Sequence, residues 1–561
     1  MQRRSSPLKK HKDSASNSHQ GDGSRMCCDQ VGWQLRALIG FRVRLSVAAL
    51  SVAFGSGFLI YSTYVVNNVQ HVGESWINHT FAAAHGFYLG PHHVAYLWAT
   101  LVAAKDFGKI LGTVLLLLLA ERVGRRNGIL LNDVLTMVGA YLCFVGIDFP
   151  YYVIIIGRLC LGASLIVGAG LGSVFIAEIS PTHLRGFTGA LVQVFRALGA
   201  FLGPLLTLPH LLGNAHLWTV AMAIPAIPAT LDFFFLVCMP ESPRFLYISR
   251  GEAEAAADSV DFYQGSAAVS HVLEELEEER KHIEKTSEQP EDWTWCRRLF
   301  GVSRRSLKPV LLTTVALANR ALAGAVILES YSTDIFKNSG YEHEAAAYST
   351  VILGACQLVS ALSVTFSVEQ CGRRSLLLVS NVGCLFALLL MSVFSKESAL
   401  AADGLLLGGV IYMLLYPVVG SVGNIVASEL CHQELRTAAF TLGLLAYSLL
   451  GLLSTYVYPL MKHSLGFSWC FAPFTILLAL TIAAYIVWLP ETKDAAFFRA
   501  FYDEDELLQA PPEPDVMAEK LMVSRQTSVL DHPTSLTTSS GGSAGFAESS
   551  GGSERKMGKF Q

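Results

Sequence analysis

The 561-residue chain is 52% hydrophobic and only 15% charged, with a formal net charge of −4. Together with a positive mean hydropathy, that apolar share exceeds what one soluble core of this length needs and places the chain in a lipid bilayer. The charge balance leaves no strongly basic surface of the kind a nucleic-acid partner requires.

In the N-terminal tail, 1–42, residues 1–38 are polar and basic, with Lys9, Lys10 and Lys12. They lack the apolar stretch and small-residue cleavage site of a secretory signal, so the first span is expected to serve as its own insertion signal. Apolar runs long enough to cross roughly 30 Å of hydrocarbon as helices then follow at 43–66, 94–120, 127–147, 151–175, 185–210 and 216–239. A polar connection at 240–306 precedes six more runs at 307–331, 344–367, 375–394, 404–427, 437–461 and 467–489. Inside lipid each backbone amide must be satisfied within its own segment, so the runs predict an all-α membrane protein with twelve transmembrane helices in two six-helix pseudo-repeats, 43–239 and 307–493. In the connection, Glu precedes Lys and Arg at helical spacing between Val272 and Lys285, which predicts a short solvated helix. The tail at 494–561 turns acidic and then Ser-, Thr- and Gly-rich, a composition expected to stay disordered.

Turns carrying Arg122, Arg125, Arg126, Arg185, Arg373, Arg374 and Arg436 alternate with turns nearly free of Lys and Arg, such as 67–93, 148–151 and 208–217. By the positive-inside rule the Arg-rich turns, both termini and the 240–306 connection are cytoplasmic. The 67–93 loop then lies outside, with Asn78-His79-Thr80 as a glycosylation acceptor.

Two strings repeat about 250 residues apart, Arg122-Val-Gly-Arg125-Arg126 and Gln370-Cys-Gly-Arg373-Arg374. Pro240-Glu241-Ser242-Pro243-Arg244 closes the first half and Pro490-Glu491-Thr492-Lys493 the second. With Gly157-Arg158 and Gly162, Glu178-Ile-Ser-Pro-Thr-His-Leu-Arg185, and Glu429 with Arg436, these motifs resemble the sugar porter family of the major facilitator superfamily, the group of the facilitative glucose and fructose transporters. The resemblance covers nearly all of 43–500 and implies the major facilitator fold, a small-molecule solute, alternating access and a multi-pass protein of the plasma membrane. It says nothing of oligomeric state. Charges at span ends are costly unless paired. Arg122, Arg125, Arg126, Arg158, Arg185 and Arg244 with Glu178 and Glu241, and Arg373, Arg374 and Arg436 with Glu429 and Glu491, are therefore expected to form inner clamps that are made and broken as the halves rock. A purely topological role for the Arg residues is the alternative.

The family's sugar-binding positions are altered. The resemblance aligns a span-five Gln with Gln193, a span-seven Gln pair with Arg320-Ala321, a span-eight Asn with Gln357, a span-ten Trp with Asn424 and a span-eleven Asn-Trp with Tyr447-Ser448. Charges stand nearby: Lys105, Asp106 and Lys109 in span two, Arg196 one turn beyond Gln193, and Glu329 with Arg320 in span seven. These are either internal salt bridges, Lys105–Asp106–Lys109 and Arg196–Glu329, or groups that bind solute or an ion. Phe58-Leu-Ile-Tyr-Ser-Thr-Tyr64 lacks the Asp that bacterial proton-linked members carry in span one, which favours downhill movement. No phosphate loop, metal-ligand cluster or nucleophile–base pair emerges, so neither a cofactor nor enzymatic activity is expected. The candidate binding set is Gln193, Arg196, Arg320, Gln357, Asn424 and Tyr447, for a hexose or related polyol. An organic anion held by Arg196 and Arg320, or a non-transporting sensor of the same fold, are the alternatives.

Overall fold

The computed structural model describes residues 41–181, 184–287, 304–367, 372–395, 399–430 and 433–490. Side chains are not described at 41–42, 121, 282–287, 304–306, 365–367, 399–401, 428–429 and 433–438. The first crossing is a broken column of α1 (Phe41–Phe58), the single turn α2 (Tyr61–Tyr64) and α3 (Val66–His85). Next come α4 (Pro91–Arg122), α5 (Arg125–Val145), α6 (Tyr152–Ile179) and α7 (Arg185–Leu206). The sixth crossing is split into α8 (Trp218–Ala223) and α9 (Ala226–Val237). The connection folds into α10 (Ala253–Gln264) and α11 (Val269–Ser287). The second half comprises α12 (Arg304–Leu322) with α13 (Ala325–Asn338), then α14 (His343–Ser367), α15 (Arg373–Val393), α16 (Ala399–Leu430), α17 (Gln433–Ser464) and α18 (Ala472–Trp488).

Among the described residues there is no strand, and eleven stretches are long and apolar enough to cross a membrane. The twelfth crossing is α4, whose 32 residues are long enough but carry Lys105, Asp106 and Lys109 at their centre. Two expectations change. The 67–93 segment is helix as far as His85 rather than loop, ending where Gly86 takes a left-handed φ of 79°. The tail from 494 and the N-terminal residues 1–40 lie outside the described residues.

Small residues set how closely the helices meet, because lipid offers no hydrophobic drive between them. A Cβ added at Gly162 of α6 would stand 1.9 Å from the Lys105 carbonyl of α4, so only glycine permits this backbone contact. The polar connection is partly built into the first half. Phe262 and Tyr263 of α10 are buried with Phe175 and Ile179, while Tyr263 donates to the Pro240 carbonyl at 2.8 Å. The acidic helix α11 is the solvated one that the charge spacing predicts, with Lys281 3.4 Å from Glu277.

Candidate functional site

Several crossings are interrupted, and distant side chains satisfy the backbone groups that the breaks release, as a membrane interior demands. Gly324, with φ of 78°, separates α12 from α13, and the Tyr412 hydroxyl donates to the Ala323 carbonyl at 2.8 Å. Within α13 the helix kinks at Tyr331, whose φ is −134°. There the single amide of Asn67 serves both sides: its Nδ2 donates to the Glu329 carbonyl at 2.8 Å, and its Oδ1 accepts from Ser332 N–H at 3.0 Å. Pro225 denies the Ala221 carbonyl its usual helical donor, and the Tyr61 hydroxyl donates to it at 3.0 Å. Pro459 does the same to Thr455, whose carbonyl accepts from the Tyr331 hydroxyl at 3.3 Å.

A cavity with about 410 Å³ of empty space, part of it open to solvent, is lined by Ile60, Gln193, Arg196 and Ala197 of the first half and Arg320, Gln357, Tyr416 and Ser421 among others of the second. Of the candidate binding residues, Gln193, Arg196, Arg320 and Gln357 meet here. Tyr447 stands behind them, its ring 5.7 Å from the Arg320 guanidinium and 5.0 Å from Lys109 Nζ. Asn424 is not among the lining residues.

The Arg320 charge is balanced inside the second half. Its Nε donates to the Tyr416 hydroxyl at 2.8 Å, the hydroxyl donates to Glu329 Oε1 at 2.8 Å, and the guanidinium stands 3.7 Å from the same carboxylate. The expected Arg196–Glu329 salt bridge does not form, because Arg320 and Tyr416 hold that carboxylate. Arg196 feels Arg320 and Glu329 electrostatically, but no hydrogen bond or ion pair joins it to a described residue. Gln357 accepts from the Tyr64 hydroxyl at 2.6 Å. The residues missed in the sequence are Tyr416 and Ser421; a hydroxyl flanking Pro417 in an apolar run was the available signal.

Lys105, Asp106 and Lys109 do form an internal cluster, all at most 1% exposed. Lys109 stands 2.7 Å and Lys105 3.8 Å from Asp106 Oδ1. Asp106 Oδ2 accepts from Thr455 of α17 at 2.7 Å, and Lys105 donates to Thr63 at 2.9 Å. The Asp106–Thr455 bond, with Tyr64–Gln357, Asn67–Glu329 and the Thr333–Asn68 bond of 2.6 Å, ties the two halves together. A second buried acidic site escaped the sequence analysis. Asp133 of α5 and Asp232 of α9, 2% and 0% exposed, lie within electrostatic reach of one another. Asp133 Oδ2 and both Asp232 oxygens lack hydrogen-bond partners among the described residues. An acid inside each of two apolar runs was the signal.

At the opposite end of the first half the Arg–Glu network is well formed. Arg125 Nε stands 3.2 Å from Glu178 Oε2, Ser242 also donates to Glu178, and Arg244 lies 3.6 Å from Glu178 while pairing with Glu279 of α11. Burial opposes the Arg244 charge, but Glu279 and Glu178 outweigh it and hold its pKa above the ordinary value. Glu241 caps α5, accepting from the N–H groups of Arg125 at 3.1 Å, Arg126 at 2.8 Å and Asn127 at 3.3 Å, where a helix N-terminus favours an anion. The Arg126 side chain instead caps α9, donating to the Leu236 carbonyl at 3.0 Å. Its repeat counterpart Arg374 donates to Ile486 at 2.8 Å; both carbonyls lie four residues before the closing proline. Arg185 donates to the Ala177 carbonyl at 3.0 Å.

Two expected members of the clamp stand elsewhere. Arg122 is exposed in the last turn of α4, with no described partner. Arg158 is fully buried and donates to the Ser62 carbonyl. It precedes Glu178 by twenty residues of one helix, about 30 Å at 1.5 Å per residue, so it belongs to the layer of Lys105 and Ser62. The side chains of Glu429 and Arg436, and Glu491 altogether, lie outside the described residues, so the second clamp has Arg373 and Arg374 alone on view. Asn78 is half-buried within α3, where its Oδ1 accepts from Leu89 N–H at 2.9 Å.

Comparison with known proteins adds to this geometry. The profile of the family described as "Sugar (and other) transporter" matches residues 48–501. Human solute carrier family 2, facilitated glucose transporter member 7, is 28% identical over 461 residues, 81% of this chain and 88% of that protein. Human facilitated glucose transporter member 4 is 29% identical over 491 residues, 85% and 94% of the two chains. Among solved structures, the proton:xylose symporter XylE bound to 6-bromo-6-deoxy-D-glucose superposes with a TM-score of 0.65 at 20% identity, covering 80% of this chain and 97% of that one.

Proposed function

This chain belongs to the sugar transporter family of the major facilitator superfamily, and from that membership we propose facilitative transport of a hexose or related sugar by alternating access. The observation that carries the reading is the central cavity between the two halves, which brings together Gln193 of α7 and Gln357 of α14. Amides there supply the donors and acceptors that a polyol needs, and interrupted helices beside a mid-membrane cavity are the usual architecture of a carrier site. The relatives named as facilitated glucose transporters support the hexose.

In this reading the halves 43–239 and 307–493 rock about the cavity, and the Arg125–Glu178–Arg244 network, with α11 tied to it through Glu279, is the inner latch. The Arg-rich turns and both termini face the cytosol, Asn78 faces outside as a glycosylation site, and the membrane is the plasma membrane. Loss of the glycosidase-sensitive mass in Asn78→Gln tests that orientation.

Uptake of labelled D-glucose and D-fructose into liposomes holding the purified full chain tests the function. Saturable entry that follows the sugar gradient, whatever pH gradient is imposed, is expected. Sugar that raises the melting temperature without entering would favour a sensor of the same fold and overturn the transport reading.

A further inference from the structure

Resting on the sugar-transport reading of the same cavity, we propose that its selected solute is a polyhydroxylated monocarboxylate, a sugar acid of the hexuronate type, with Arg196 as the carboxylate-binding residue. Two guanidiniums line the cavity, Arg196 and Arg320, and only one is neutralised. Arg320 has Glu329 at 3.7 Å and, through Tyr416, by two hydrogen bonds of 2.8 Å each. Arg196 has no hydrogen bond or ion pair to a described residue.

The layer behind the lining offers no spare carboxylate to Arg196. Lys105 and Lys109 share the single carboxylate Asp106, and the buried Arg158 donates through one nitrogen to a carbonyl while its Nε and Nη2 have no hydrogen-bond partner among the described residues. None of these three lines the cavity, so within the lining itself Arg196 is the unbalanced cation. A cation in the membrane interior is retained at a cost of several kcal/mol unless it meets water or an anion, and a guanidinium binds a carboxylate through two parallel hydrogen bonds.

The remaining lining matches the rest of such a molecule. Gln193 lies one helical turn before Arg196, and Ser421 and Gln357 come from the opposite half. Gln357 Oε1 is engaged by Tyr64, which leaves its NH₂ to donate to a sugar hydroxyl. One unbalanced cation in the lining pairs with one negative charge, so a monoanion fits and a phosphate ester, with nearly two, does not.

The test uses liposomes holding the purified full chain, labelled D-glucuronate and D-glucose, and a membrane potential set by a potassium gradient with valinomycin. Glucuronate is expected to compete with glucose for entry and to enter faster when the interior is positive. R196Q should lower the ratio of glucuronate to glucose uptake at least tenfold, with R196K intermediate. If glucose enters and glucuronate neither enters nor competes, the inference fails while the sugar reading stands. If glucose 6-phosphate competes better than glucuronate, the monoanion assignment is wrong. If none of these solutes enters or competes, the sugar reading itself fails and takes the inference with it. Should R196Q melt before it can be assayed, competition and potential dependence of the wild type decide the matter.

Discussion

Arg320 and Glu329 lie on either side of the helix break at Gly324 and are joined through one hydroxyl, that of Tyr416, which accepts from Arg320 Nε and donates to Glu329 Oε1, each at 2.8 Å. The relay fixes the two halves of the seventh crossing against α16 and balances one of the two cavity cations.

Glu329→Gln is therefore expected to destabilise the fold more than Tyr416→Phe. The first substitution leaves a largely buried guanidinium, 18% exposed to the cavity, without its counter-charge, a cost of about 3 kcal/mol. The second removes a bridging hydroxyl at about 1–3 kcal/mol. Melting of the purified proteins ranks them, and a larger loss in Tyr416→Phe would contradict the charge argument.

Asn67→Ala should cost about 1–3 kcal/mol per group left unsatisfied, because one amide serves both the Glu329 carbonyl and the Ser332 N–H at the Tyr331 kink. Faster amide hydrogen exchange at Ser332, together with a lower melting temperature, is the expected signature. Exchange at the wild-type rate would mean that the kink holds without Asn67.

Glu178→Gln should loosen the inner latch, since Arg125 and Arg244 both lean on this carboxylate. The resting population is expected to shift towards the state open on that side, read as faster labelling of a cysteine introduced in the inner half of α7. Equal labelling of mutant and wild type would reduce these residues to topological anchors.

Asp232→Asn should stabilise the protein. Among the described residues neither Asp232 oxygen has a hydrogen-bond partner within bonding distance, and the acid lies within electrostatic reach of Asp133 inside the bundle, so an amide of the same shape removes the repulsion between two buried acids. A melting temperature at or above that of the wild type is expected. A large loss would reveal a role for this acid that the described residues do not supply.

The crossings, the duplicated halves and the four candidate residues that line one cavity were legible because span length, repeated Arg motifs and charges in apolar runs are local signals. Gln193 and Arg196 share a helix face by spacing alone. What stayed hidden depends on contacts between distant segments. The break at Gly324 is stable because Tyr412, 88 residues on, caps it, and nothing near Gly324 announces that. Arg158 was grouped with the inner clamp by its motif, yet the length of α6 carries it to the other end of the bundle. Asn424 and Tyr447 were placed by alignment, which fixes the helix but not the rotation of its face. The Arg196–Glu329 pair failed because Arg320 competes for the same carboxylate.

The central claim, a sugar carried through a cavity shared by the two halves, is tested most directly by counterflow. Liposomes holding the full chain are loaded with unlabelled D-glucose and diluted into a trace of labelled D-glucose. The wild type is expected to accumulate label transiently above equilibrium, as a carrier that alternates access must. Gln357→Ala should lose at least tenfold of that rate, the equivalent of about 1.4 kcal/mol, while still melting as a folded protein. Absence of an overshoot in folded wild-type protein, or an overshoot undiminished in Gln357→Ala, would contradict the account.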